Sequence, residues 1–291
     1  MPNRRTAQLS ARHTTLVSAA TLADHDADAG WVVFDCRHDL ARPEAGRSDY
    51  QSAHIPGAFF LHTDTDLSGP KNGHNGRHPL PERETLAATL RAAGVSATTQ
   101  VVAYDASGGM LAARLWWLLR WLGHENVAVL DGGLPVWLAA GLPMDSSVPA
   151  ARTGTLPVLP SLVPHVDAGN VLNHLGNSAR LLVDARAAER YRGDVEPIDP
   201  VGGHIPGASN RFFQLNLQAD GRFKPGTALR EEFAALLGAH APDAVVHQCG
   251  SGVSACHNLL AMDVAGLHGG ALYPGSWSEW CADPSRPMRK G

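Results

Sequence analysis

The chain has 291 residues, enough for two domains of ordinary size, and is 44% hydrophobic and 18% charged with a formal net charge of -4. That mixture excludes a disordered chain, and with no basic tail and no interleaving of aromatic and basic residues it gives no sign of a nucleic-acid partner. No apolar run nears the ~20 residues a bilayer span needs, and the first residues, MPNRRTAQLSARHTTLVSAA, hold two arginines without a continuous apolar core, so neither a membrane segment nor a secretory leader is expected. The four scattered cysteines, Cys36, Cys249, Cys256 and Cys281, read as reduced thiols in a cytoplasmic protein.

In chain order, short apolar, β-branched runs predict buried strands over 31–35, 101–104 and 127–130. Between them, PERETLAATLRAAG (81–94) places Leu86, Leu90 and Ala93 on one helical face and stops at Gly94. LAARLWWLLRWLG (111–123) is apolar nearly all round, as a deeply packed helix is. Residues 141–165 hold five prolines and no periodicity, which reads as an interdomain connection. Strands then return at 181–184, 244–248 and 271–273, with helices over 230–240 and 254–266. Alternating strands and helices predict an α/β fold: two tandem domains, each a mainly parallel sheet flanked by helices, over 1–145 and 165–291 with a linker at 146–164.

The two halves repeat each other. WVVFDCR (31–37) followed by AHIPGAF (53–59) is matched by LLVDAR (181–186) followed by GHIPGAS (203–209). Asp35 and Asp184 are 149 residues apart, and His54 and His204 are 150 apart. VVAYDASGG (101–109) matches VVHQCGSGV (245–253), which sets Asp105 against Cys249, and DGGLPVW (131–137) matches YPGSWSEW (273–280).

Cys249 opens a strand-to-helix loop, CGSGVS. Ligands of open α/β sheets bind outside the carboxyl ends of the strands. There the unpaired N–H groups of the next helix favour negative charge, and Gly250 and Gly252 let the backbone curl so that several of them converge. A thiolate held there is a usable nucleophile, with Ser251 and Ser254 adding neutral donors. A phosphatase loop needs an arginine six positions after the cysteine, and that position is Ala255. His247, Cys249, Cys256 and His257 lack a paired C-x-x-C, and His74 and His78 sit in a glycine-rich loop, so no metal and no cofactor is expected.

Duplicated domains with HIPGA in each half and a cysteine loop only in the second resemble the tandem rhodanese-type sulfurtransferases, over about residues 14–282. The loop CGSGVS and the downstream GSWSEW (275–280) are most similar to the 3-mercaptopyruvate sulfurtransferases. The resemblance implies a silent first domain, an active second one and a site in the cleft between them. It implies that Cys249 takes sulfane sulfur from a small donor as a persulfide and passes it to a thiol, a thioredoxin-like protein or cyanide. Mercaptopyruvate is the favoured donor, thiosulfate is the alternative, and a non-catalytic persulfide carrier or sensor is the rival. By resemblance Ser251 relays protons, Asp64 (or Asp66 after a slip of register) is its acidic partner, and His78 stands at the cleft. Arg190, in DARAAERYRG (184–193), takes the place of the arginine that binds the donor's charged end. Gly250, Gly252, Val253 and Ser254 line the loop. The family's second arginine, in a segment resembling EPRD, is Ile198 in this chain's EPID (196–199), leaving Arg192 or Arg211 to stand in for it. Cys256 reads as packing.

Overall fold

The computed structural model describes residues 12–25 and 28–291. Residues 1–11 of the stretch read for a leader lie outside the described residues.

The first sheet holds five parallel strands, β1 (Leu16–Val17), β2 (Trp31–Asp35), β3 (Phe59–Phe60), β4 (Gln100–Tyr104) and β5 (Val127–Leu130), in the order β1-β5-β4-β2-β3. The second holds four, β6 (Leu181–Asp184), β7 (Ser209–Asn210), β8 (Val245–Gln248) and β9 (Ala271–Leu272), in the order β7-β6-β8-β9. The expected strands are present within a residue or so at their ends. The sequence reading did not anticipate the two-residue strands β1, β3 and β7. The helices, in chain order, are α1 (Ala19–Ala23), α2 (Ala45–Ser52), α3 (Arg83–Ala92), α4 (Ala112–Trp121), α5 (Gly133–Ala139), α6 (Ala168–Asn173), α7 (Ala188–Arg192), α8 (Gly226–Leu237), α9 (Ser254–Val264) and α10 (Ser276–Trp280).

The internal repeat is visible in side-chain detail. Asp35 at the end of β2 is buried and pairs with Arg37 at 2.6 Å; Asp184 at the end of β6 pairs with Arg186 at 2.7 Å. Tyr50 stacks on His54 with ring centroids 4.0 Å apart, and Tyr191 stacks on His204 at 3.9 Å. The proline-glycine turn follows each histidine, with Gly57 at φ 71° and Gly207 at φ 82°, a conformation glycine adopts without steric cost.

The halves share one hydrophobic core. α4 and α9, each buried nearly all round, pack against each other, with Leu115 and Leu119 in the same cluster as Cys256, Leu259 and Leu260. Residues 141–165 run in contact with the first half: the Gly154 and Leu156 amides donate to Arg91 and Val95 carbonyls, and Leu156 is buried. This packing places the carboxyl end of β8 opposite the loop that precedes α3, which is where the site lies.

Candidate active site

β8 ends at Gln248, and the chain turns at once through Cys249–Val253 into α9. Gly252 has φ 77°, and a Cβ there would lie 2.4 Å from the Pro274 carbonyl, so the turn requires glycine. Gly250 has no such backbone requirement, contrary to the expectation that both glycines serve the curl. A Cβ at Gly250 would instead lie 2.7 Å from Nη2 of Arg77 and 3.6 Å from both terminal nitrogens of Arg190. Its smallness makes room for the Arg77 guanidinium, with that of Arg190 in ordinary contact beyond it.

Cys249 is 2% exposed and lines a cavity of about 580 Å³ between the two halves. Its Sγ accepts the Gly252 N–H at 3.1 Å, and its own N–H donates to Ser276 Oγ at 3.1 Å. The amides of Ser251 and Val253 donate to no protein atom among the described residues. The first half shows what such amides hold. There the Asp105 carboxylate accepts N–H groups from Ser107, Gly109, Leu111 and Ala112 at 2.7–2.9 Å. The loop of the first half is thus an anion nest filled by its own side chain, and the second half has a thiol at the corresponding position.

The other expected residues divide. Ser251 Oγ lies 2.7 Å from His78 Nδ1, and His78 Nε2 lies 3.3 Å from Asp64 Oδ1, so three residues from two domains form one chain leading away from Cys249. Burial, reinforced by Arg114, pushes His78 down to about 3, which keeps its imidazole neutral. A neutral ring with its proton on Nε2, the nitrogen facing Asp64, has Nδ1 free to accept the Ser251 hydroxyl proton. Burial opposes charge on Asp64, yet the Lys71 ammonium at 3.0 Å holds its carboxyl below the usual range. Asp66 is turned away: its carboxylate accepts the His62 N–H at 2.7 Å.

Val253 and Ser254 line the cavity, as does Arg190, whose Nε and Nη2 donate to Glu196 at 3.2 and 2.6 Å. Arg192 does not line the cavity. It is exposed and pairs with Asp194 at 2.8 Å, because residues two apart on α7 point to different sides. Arg211 is committed elsewhere, to Asn216 and Glu232 at 2.9 Å. Cys256 packs behind the loop with its thiol pushed up to about 12 by burial.

The sequence reading missed three residues. Arg114, fully buried on α4, donates to the His78 carbonyl at 3.0 Å and reaches the Gly252 carbonyl at 3.4 Å. Ser276, at φ 54°, holds a left-handed backbone without being glycine, and its hydroxyl fixes the Cys249 amide. Arg77, from the loop before α3, pairs with Asp199 of the second half and lines the cavity beside Gly250. Its sequence signal was its position next to His78. For metal ligation, His38, His62 and Asp64 bring ligand atoms within 4.8 Å of one another. Both His62 nitrogens already have partners, the Asp64 N–H and the Pro43 carbonyl, each at 3.1 Å.

The family model for a rhodanese-like domain matches twice, over residues 18–140 and 167–283. A Pseudomonas aeruginosa protein named "Probable 3-mercaptopyruvate sulfurtransferase" is 47% identical over 278 residues, covering 95% of this chain and 98% of that one. A Mycobacterium tuberculosis protein named "Putative thiosulfate sulfurtransferase SseB" is 40% identical over 293 residues, covering 97% and 99%. Among solved structures, a 3-mercaptopyruvate sulfotransferase of Escherichia coli superposes with a TM-score of 0.79 at 29% identity, covering 91% of this chain and 99% of that one.

Proposed function

Since the chain belongs to the rhodanese family and is a sulfurtransferase with two rhodanese-like domains, moving sulfur from a donor to an acceptor, we propose that the sulfur travels on Cys249 as a persulfide and that mercaptopyruvate is the donor. In this reading residues 1–145 form the silent half, 146–164 the connection and 165–291 the catalytic half.

The observation that carries the donor assignment is the Ser251–His78–Asp64 chain beside the thiol. The Cys249 thiolate attacks the donor's sulfur, the S–S bond forms and the C–S bond breaks. The bonding pair stays on carbon, leaving the enolate of pyruvate. The donor's thiol proton leaves the new persulfide and ends on that carbon, so thiolate plus mercaptopyruvate becomes persulfide anion plus pyruvate. A hydroxyl backed by a neutral imidazole is suited to carry this proton. The same chemistry weighs against thiosulfate, because sulfite departs as a stable anion and needs no proton on carbon. The persulfide anion is stabilised by the loop amides of Ser251, Gly252 and Val253. Arg190 binds the donor's carboxylate. A thiol, a thioredoxin-like protein or cyanide then takes the outer sulfur, and turnover distinguishes this from a persulfide carrier that loads once. The compartment in which this occurs is proposed to be the cytoplasm; among the described residues no helix is long and apolar enough to cross a membrane.

Mass spectrometry after mixing with mercaptopyruvate is expected to find one added sulfur on the Cys249 peptide, released by cyanide as thiocyanate. Cys249→Ser is expected to fold and to carry none. An unmodified Cys249 in protein that still turns over mercaptopyruvate would refute the persulfide route.

A further inference from the structure

Arg77 belongs to the half that lacks the nucleophile, yet its guanidinium crosses the cleft. Nη1 pairs with Asp199, a carboxylate of the second half that also lies 3.4 Å from Arg190 Nη2. The Arg77 backbone N–H donates to Ser278 Oγ at 3.0 Å, so the main chain is pinned to the second half as well. The two arginines are therefore oriented by a common acidic frame, with Glu196 holding the Nε edge of Arg190. Each has one free end. Nη2 of Arg77 and Nη1 of Arg190 make no protein hydrogen bond among the described residues, and both lie over Gly250, beside the nucleophile. Two free guanidinium ends converging from different domains suit a carboxylate, whose two oxygens accept from two donors at once.

Resting on the sulfurtransferase reading above, we infer that Arg77 is a specificity-determining residue of the donor site: it and Arg190 clamp the donor's carboxylate from opposite domains, so the first domain supplies half of the anion recognition. The arrangement fits a chain with Ile198, an apolar and exposed residue, in the segment between Glu196 and Asp199. It also gives Gly250 its role, since any larger residue would displace the Arg77 end of the clamp.

Two measurements on Arg77→Ala and Arg77→Lys test this. The first is steady-state kinetics with mercaptopyruvate. Loss of one charged hydrogen bond to the donor is expected to raise KM about tenfold or more with a smaller change in kcat, with partial recovery in the lysine variant. The second needs no sulfur transfer. Iodoacetate and iodoacetamide alkylate the same thiolate with loss of iodide and differ chiefly in a carboxylate against an amide. At Cys249, read by peptide mass spectrometry, the rate ratio of iodoacetate to iodoacetamide is expected to fall several-fold in Arg77→Ala while the iodoacetamide rate stays near wild type. An unchanged ratio and unchanged KM would overturn the clamp. Equal loss of both alkylation rates would also overturn it, showing a structural role only. A shifted ratio in a protein that takes no sulfur from mercaptopyruvate would keep the clamp and sink the donor assignment.

Discussion

The Ser251 hydroxyl and the His78 ring, the pair proposed to relay the proton, stand 2.7 Å apart between the two halves. Proton relay by a positioned pair contributes on the order of 10²–10⁴-fold. Ser251→Ala is therefore expected to lower kcat for mercaptopyruvate by about 10²-fold, within that range. His78→Asn is expected to do the same. Because the two act as one unit, the double variant is expected to lose little more than the worse single, rather than the product of both. Thiosulfate turnover, which protonates no carbon, is expected to fall much less. Steady-state kinetics of the three variants with both donors checks this, and equal losses on both donors would assign the pair to thiol positioning instead.

The strand-loop-helix element is where the two halves can be compared. In the first half the Asp105 carboxylate occupies the nest and is fully buried with four N–H partners. Asp105→Ala would leave those donors unpaired at the start of α4, and the expected cost is about 3 kcal/mol, one buried charged acceptor removed. Urea denaturation is expected to show that loss while KM for the donor stays unchanged. The strands β2, β4, β5, β6 and β8 and the helices α3, α4, α8 and α9 were legible in the sequence because apolar runs, helical spacing and the repeat each signal them locally. The pairing of Asp64 and His78 with Ser251 was not legible from spacing; family resemblance supplied the residues and the fold supplied the distances. Arg77 and Arg114 were opaque for a physical reason. A charge in a loop or in an apolar helix carries no sequence mark saying that its partner lies 122 or 138 residues away. Arg192, offered as a stand-in for the arginine absent at Ile198, is exposed on α7, a side no residue spacing in the sequence marks.

At the scale of the whole molecule, the core shared by the two halves makes acid sensitivity a property of the protein rather than of its site. His78, His247 and His257 are all buried, and burial depresses them to about 3, 3 and 4 respectively, against an ordinary value of 6.5. Each is neutral when folded and takes up a proton when unfolded below pH 6.5. The stability each contributes is thus complete above pH 6.5 and is lost progressively as the pH falls towards the folded value. At pH 5 the loss per histidine is about 2 kcal/mol, from roughly 1.4 kcal/mol per pH unit. His247 isolates this effect, because it lies on β8 away from the cavity, with Nε2 against Met262 Sδ at 3.0 Å and Nδ1 unpartnered among the described residues. His247→Leu fills a similar volume and removes a buried polar atom without a partner, so it is expected to be at least as stable as wild type at pH 7. Between pH 7 and pH 5 it is expected to lose about 2 kcal/mol less than wild type, one proton having been removed from the unfolding equilibrium. Urea midpoints at the two pH values measure the difference, and parallel losses in both proteins would mean that His247 does not stay neutral in the folded chain.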